Sequence, residues 1–129
     1  MDNSKKTILI VEDEKSLRRA LVDFLSLKKF MTLEAKNGKE GIEIALSKHP
    51  ELILLDIIMP EMDGIASLKK IREDSWGEKV PIIILTNLSA TKEQLIDYKI
   101  PSRPTYYLIK SDWKLCDIVK KIETILKDK

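Results

Sequence analysis

Five polar side chains in this sequence stand where four short apolar runs end. Glu12 and Asp13 follow the first of these runs, Asp56 closes the next, and Thr86 and Lys110 close two later ones. If the runs are parallel strands, their carboxyl ends lie at one edge of a sheet, where ligands bind in this kind of fold. The sequence therefore predicts one site that contains three carboxylates, a hydroxyl group and an ammonium group.

The chemistry of such a site follows from its charges. Three carboxylates held close together repel one another unless a cation joins them. A donor set of oxygens without Cys or His suits a hard divalent ion, and Mg²⁺ asks for few protein ligands because it keeps several of its waters. The residues alone thus favour a Mg²⁺ site. Acidic residues after strands also serve only to cap helices or to keep a loop hydrated, and that alternative stays open for each of them.

The apolar runs alternate with amphipathic stretches along the whole chain, which predicts strands and helices in alternation. Strands are predicted at residues 7–11, 31–35, 52–56, 81–86 and 105–109, with a short helix at 91–98 between the last two. Five units of strand and helix imply parallel strands joined by right-handed crossovers. The predicted fold is α/β: a doubly wound, five-stranded parallel sheet with helices on both faces.

The amphipathic stretches also predict which side chains point outward. In the first helix, Arg18, Arg19 and Asp23 are expected to face solvent. In the second helix, Leu46 is expected to line the core together with Ala45.

Length and composition exclude several classes of protein. The 129 residues fit one domain, 1–129, without repeat or linker, so no separate output domain is expected. The net charge of +2 is too small to indicate a basic surface that binds nucleic acid. Cys116 is the single cysteine, which excludes an internal disulfide. Because the sequence contains neither a signal peptide nor a run of about 18 apolar residues, no membrane insertion and a cytoplasmic location are expected.

Four segments of the chain resemble the receiver domain of bacterial two-component response regulators. They are Ile8-Leu9-Ile10-Val11-Glu12-Asp13-Glu14, Leu54-Leu55-Asp56-Ile57-Ile58-Met59-Pro60-Glu61-Met62-Asp63-Gly64, Ile84-Leu85-Thr86 and Tyr107-Leu108-Ile109-Lys110. The second segment is the most specific, and the resemblance covers essentially the whole chain. It implies the flavodoxin-like (βα)5 arrangement and a phosphoprotein of the phosphorelay type, of the single-domain kind.

The resemblance also implies the roles of the site residues. Asp56 would accept a phosphoryl group from a sensor histidine kinase or a histidine phosphotransfer protein. Glu12, Asp13 and Asp56 would hold Mg²⁺, helped by the backbone carbonyl of Ile58. The protein would be a signalling switch and not an enzyme with turnover, since it would catalyse only its own phosphorylation and dephosphorylation.

The remaining implied roles concern switching. Lys110 and Thr86 would each donate to a phosphoryl oxygen. As Thr86 moves inward, Tyr107 would enter the vacated space and change the surface made by the fourth helix, the fifth strand and the fifth helix. That surface would bind a downstream protein of unknown identity, and a homodimer formed on phosphorylation is a further partner to consider.

The chain departs from the family pattern at the predicted output surface. Arg103 and Pro104 stand where the family usually has Gly-Ala, so the start of the fifth strand must differ. Ser111 follows Lys110 where the family usually has proline in a cis peptide. Since a cis bond before a residue other than proline costs about 2.5–4 kcal/mol, a trans bond is expected here. Partner choice and switching are the functions that these changes affect most.

Two apolar residues bear on the lifetime of the phosphoryl group. In the family, the positions of Ile58 and Leu88 flank the path of the hydrolytic water. Neither side chain can orient water, which predicts slow self-dephosphorylation.

Three other classes of protein are alternatives to a working receiver. A haloacid-dehalogenase-type hydrolase needs a second acid two residues after its nucleophile, where this chain has Ile58. A flavodoxin-like cofactor binder needs a phosphate loop after the first strand, where Glu12 and Asp13 would repel a phosphate. The serious alternative is a phosphorylation-independent pseudo-receiver that acts as a protein-interaction module.

Overall fold

The computed structural model describes residues 6–56, 64–86, 105–109 and 114–127. These residues contain a five-stranded parallel sheet with the strand order β2-β1-β3-β4-β5. Its strands are β1 (Thr7–Val11), β2 (Met31–Ala35), β3 (Leu52–Asp56), β4 (Ile82–Thr86) and β5 (Thr105–Ile109). The predicted fold class is confirmed, and β4 begins one residue later than the sequence indicates.

Helices cover both faces of this sheet. They are α1 (Lys15–Leu27), α2 (Gly38–Lys48), α3 (Gly64–Glu73) and the C-terminal helix (Leu115–Lys127). The buried side chains of α1 and the C-terminal helix belong to one hydrophobic cluster, and those of α2 and α3 belong to another. The two clusters lie on opposite sides of the sheet. The short helix predicted at 91–98 lies outside the described residues.

The side chains of β1 show why this sequence forms a central strand. Ile8 and Ile10 pack in the cluster with α1 and the C-terminal helix, whereas Leu9 and Val11 pack in the cluster with α2 and α3. All four are at most 1% exposed. A strand buried on both faces needs an unbroken apolar run, and β1 has one up to Val11.

The strand order places a switch point between β1 and β3. From β1 the chain first adds β2 on one side and then continues on the other side with β3, β4 and β5. In doubly wound sheets, the crevice at the carboxyl ends of the two strands beside such a reversal is the usual ligand site. Here those two strands end next to Glu12 and at Asp56.

Two side-chain orientations predicted from the sequence are wrong. Leu46 is 36% exposed, because α2 packs through Gly41 and Ala45, and Leu46 lies about 100° from Ala45 around the helix axis. The Arg18 side chain is only 15% exposed, because it bends back to the main chain at the end of β1.

Among the described helices, none has the length and apolar character needed to cross a lipid bilayer.

Candidate functional site

Three carboxylates meet at the carboxyl edge of the sheet. Glu12 and Asp13 follow β1, Asp56 ends β3, and β1 and β3 are paired. One carboxylate oxygen from each residue lies within 4.8 Å of those of the other two. Glu12 and Asp56 are buried, at 2% and 6% exposure, while Asp13 is exposed. The structure therefore brings together residues that are more than forty positions apart in the chain.

The turn from β1 into α1 fixes the first two acidic residues. The backbone N–H of Glu12 donates to the Ala35 carbonyl at 3.0 Å, which extends the pairing with β2 by one residue. The Glu12 carboxylate accepts the backbone N–H of Glu14 at 3.1 Å through Oε2. Glu14 has extended backbone angles and is the N-cap of α1, and its carbonyl accepts the N–H of Arg18 at 3.0 Å. The chain thus changes from strand to helix within three acidic residues.

Arg18 closes this turn from the helix side. Its Nη1 donates to the backbone carbonyl of Glu12 at 2.8 Å, and its Nε donates to Oε1 of Glu34 at 3.2 Å. Arg19 also approaches Glu34, with 3.5 Å between Nη1 and Oε2. Sequence reasoning missed Arg18 as a residue of the site. The available signal was an arginine in the first turn of a helix that directly follows an acidic loop.

The other predicted site residues are placed only in part. Thr86 is the last residue of β4, and its neighbour Leu85 is in register with Asp56. Tyr107 in β5 is in register with Ile84 of β4. The structure describes the backbone, and not the side chains, of Thr86 and Tyr107. Predictions on residues outside the described ranges concern Ile58, Leu88, Arg103, Pro104, Lys110 and Ser111.

The donor set fits a divalent cation of the magnesium type. All three groups offer oxygen, and hard ions such as Mg²⁺ prefer carboxylate oxygens to nitrogen or sulfur. Two of the three carboxylates are buried, and buried charges in proteins are normally paired or coordinate a metal. A cation shared by Glu12, Asp13 and Asp56 would offset their mutual repulsion, so the residues present suit the ion that the sequence predicts.

Comparison with known proteins identifies the family of this chain. The family model of the response regulator receiver domain matches residues 8–122. The chain belongs to this family, and the resemblance seen in the sequence is confirmed. The acidic cluster at the switch point lies in the matched region and fits the phosphorylation and Mg²⁺ site expected of such a domain.

Individual relatives are found among regulators and kinases. The chain is 36% identical over 100 residues to the probable transcriptional regulator ycf27 of Porphyra purpurea, which covers 78% of the chain and 40% of that protein. It is 42% identical over 89 residues to histidine kinase P4 of Formosa agariphila, which covers 69% of the chain and 6% of the kinase. The chain therefore spans less than half the length of either relative.

A solved structure resembles the fold over nearly the whole chain. Response regulator TrrA from Thermotoga maritima, solved in complex with Mg²⁺ and BeF, superposes with a TM-score of 0.78 at 28% identity. The superposition covers 92% of this chain and 97% of TrrA.

Proposed function

We propose that this receiver domain accepts a phosphoryl group on Asp56 from a sensor histidine kinase or a histidine phosphotransfer protein, in a reaction that requires Mg²⁺. The observation that carries the proposal is the approach of the Glu12, Asp13 and Asp56 oxygens to within 4.8 Å at the switch point of the sheet. The complex of TrrA with Mg²⁺ and BeF supports a metal-dependent site in this family.

In the proposed reaction, a carboxylate oxygen of Asp56 attacks the phosphorus atom of the donor phosphohistidine. A P–O bond to Asp56 forms and the P–N bond to the imidazole breaks. The departing ring nitrogen takes up a proton from solvent, which leaves an acyl phosphate on Asp56 and a neutral histidine on the donor. Glu12, Asp13 and Asp56, helped by the backbone carbonyl of Ile58, would hold Mg²⁺, which would supply charge neutralisation at the phosphoryl oxygens. Pairing of β3 with both β1 and β4 holds Asp56 in place for the attack.

The proposal extends to the groups around Asp56. Thr86 is the last residue of β4, the strand paired with β3 beside Asp56. Its hydroxyl group would donate a hydrogen bond to a phosphoryl oxygen. Lys110, the residue after β5, would supply an ammonium group to another. Each molecule would carry one phosphoryl group and so act as a stoichiometric switch. The proposed exchange with a kinase that uses ATP implies a cytoplasmic location.

The proposed output is a change in the surface formed by the segment after β4, β5 and the C-terminal helix. Tyr107 in β5 is in register with Ile84, which lies two residues before Thr86 in β4. A movement of the end of β4 would therefore change the surroundings of the paired strand β5. Binding of a downstream protein to this surface would transmit the signal. Phosphorylation-dependent shifts of the Tyr107 ring resonances in NMR spectra would test this coupling, and an unchanged ring environment would refute it.

Intact mass spectrometry tests phosphoryl acceptance. The wild-type chain is incubated with acetyl phosphate, with and without Mg²⁺, beside Asp56→Asn and the matched control Asp23→Asn, which alters an exposed carboxylate on α1. The expected result is one added phosphoryl group in wild type and in Asp23→Asn, only with Mg²⁺, and none in Asp56→Asn.

Two outcomes of this experiment would contradict the proposal. If folded wild-type protein gains no phosphoryl group from acetyl phosphate or from a phosphorylated histidine donor, the phosphorylation-independent interaction module replaces the proposal. An adduct that persists in Asp56→Asn would place the acceptor elsewhere.

A further inference from the structure

Arg18 makes a contact that its position on a helix does not predict. It lies in the first turn of α1, yet its side chain is only 15% exposed. Its guanidinium group donates in two directions: Nη1 to the backbone carbonyl of Glu12 at 2.8 Å, and Nε to the carboxylate of Glu34 at 3.2 Å. One side chain therefore links α1, the end of β1 and the edge strand β2.

This contact adds to the hydrogen bonds that hold Glu12 in place. The N–H of Glu12 is bound by the Ala35 carbonyl, its carboxylate by the N–H of Glu14, and its carbonyl by Arg18. The carbonyl of Glu12 belongs to the peptide unit that leads to Asp13. A hydrogen bond to it consequently fixes the plane of the peptide between the two residues that would supply metal ligands from the β1–α1 turn.

We infer that Arg18 is a positioning residue of the metal site: it holds the turn after β1 so that Glu12 and Asp13 are arranged for Mg²⁺, and Glu34 orients Arg18. The inference rests on the proposed Mg²⁺-dependent function. Loss of a group that orients metal ligands typically weakens metal binding by about 10- to 100-fold, since the ligands lose their arrangement without it.

The sign of the effect separates positioning from simple electrostatics. A guanidinium group near the site repels Mg²⁺, so its removal would tighten metal binding if charge were all that mattered. If Arg18 acts by holding the Glu12 carbonyl, its removal weakens binding instead. Lysine keeps the charge but lacks the rigid fork that serves two acceptors at once, so Arg18→Lys separates the two contributions further.

The test is calorimetric titration of the folded chain with Mg²⁺. Arg18→Gln is expected to weaken Mg²⁺ binding by about 10-fold. Arg18→Lys is also expected to weaken Mg²⁺ binding, and Glu34→Ala is expected to weaken it by a smaller factor than Arg18→Gln. Arg19→Gln is the matched control, because it removes the same charge from the neighbouring residue, whose side chain is 56% exposed and contacts Glu34 at 3.5 Å. Its affinity for Mg²⁺ is expected to stay near that of wild type.

A second readout distinguishes positioning from general damage. In phosphorylation by acetyl phosphate, Arg18→Gln should raise the Mg²⁺ concentration for half-maximal rate and leave the rate at saturating Mg²⁺ near the wild-type value. A lower plateau with unchanged half-saturation would overturn the inference. Should Arg18→Gln fail to fold, Arg18→Lys and Glu34→Ala carry the same test.

The two proposals fail in different ways. Wild-type protein that binds no Mg²⁺ would overturn both of them. Wild-type protein that binds Mg²⁺ while Arg18→Gln binds it equally well, or more tightly, would overturn the positioning role alone, as would equal weakening in Arg18→Gln and Arg19→Gln.

Discussion

Gly41 packs tightly against the strand that leads into the acidic site. It lies in α2 against Val11, the last residue of β1 and the one before Glu12. A Cβ atom at position 41 would lie 2.8 Å from Cγ2 and 3.0 Å from Cγ1 of Val11. Because Val11 is 1% exposed and close-packed interiors leave little room for adjustment, an added methyl group has to displace the Val11 side chain, α2 or the end of β1.

Gly41→Ala is therefore expected to destabilise the protein. Alanine gains about 1 kcal/mol of helix propensity over glycine, but overpacking a filled core typically costs about 1–3 kcal/mol. We expect a net loss in the free energy of unfolding, measured by urea denaturation. Glu43→Ala, an exposed change in the same helix, controls for propensity. Combining Gly41→Ala with Val11→Ala should cost less than the sum of the two single losses; a stabilising Gly41→Ala would contradict the argument.

Residue by residue, the sequence predicts the acidic site better than it predicts the support of that site. Asp56 is recognisable because a buried apolar strand ends at it, and Glu12 and Asp13 follow another such strand. Arg18 is not recognisable in this way. Its position on the helix predicts a side chain that faces solvent, but its hydrogen-bond partner is a backbone carbonyl. Because every residue type has a backbone carbonyl, the sequence does not show which residue accepts this bond.

At the level of elements, the start of α2 is fixed by two side chains that each accept a backbone N–H. Oδ1 of Asn37, the N-cap, accepts the N–H of Glu40 at 2.9 Å, and Oε1 of Glu40 accepts the N–H of Lys36 at 3.1 Å. This arrangement resembles a capping box, in which cap and third helical residue satisfy otherwise unpaired donors. Asn37 is 9% exposed. The pair fixes where α2 begins, and with it the place of Gly41 against β1.

Replacing Asn37 separates the side-chain cap from the backbone geometry. Asn37→Ala is expected to lower the free energy of unfolding by about 1 kcal/mol, since an N–H at the helix start loses its acceptor, whereas Asn37→Gly should cost only a few tenths of that amount. Urea denaturation of both variants measures the difference. An Asn37→Ala variant as stable as wild type would mean that the Asn37 side chain does not stabilise the start of the helix.

The connection between α3 and β4 shows why some elements escape sequence reasoning. Nη1 of Arg72 donates to the carbonyls of Gly77, Glu78 and Val80 at 2.8, 3.3 and 2.7 Å. In the same connection, the Trp76 ring stacks on His49 at a centroid distance of 4.5 Å. The sequence indicates a loop here but not its contacts, because main-chain acceptors and a pair of rings distant in sequence carry no periodic pattern.

At the level of the whole molecule, three carboxylates cluster where two strands leave an apolar core. The chain as a whole is nearly balanced, with a net charge of +2. Strands β1 and β3 nevertheless lead from a core of aliphatic side chains directly to the three clustered carboxylates. A cation bound there would act on the folded state alone, because the unfolded chain does not bring the three residues together.

Mg²⁺ is thus expected to stabilise the whole domain through linkage. A ligand that binds only the folded state adds about 2.7 kcal/mol to the free energy of unfolding at a free concentration of 100 times its Kd. Urea denaturation at increasing Mg²⁺ concentrations should show this rise in wild type. NaCl has to keep the ionic strength constant, so that screening of the charges does not imitate binding.

Asp13→Asn provides the decisive comparison, because Asp13 is exposed and its replacement leaves no cavity. Without Mg²⁺, this variant should be at least as stable as wild type, since one source of repulsion in the cluster is gone. With Mg²⁺ it should gain much less, because one ligand is missing, so the two stability curves should cross as the metal concentration rises. Asp23→Asn, altered on the outer side of α1, should follow wild type throughout. Parallel curves for Asp13→Asn and wild type would show that the clustered carboxylates do not share the ion.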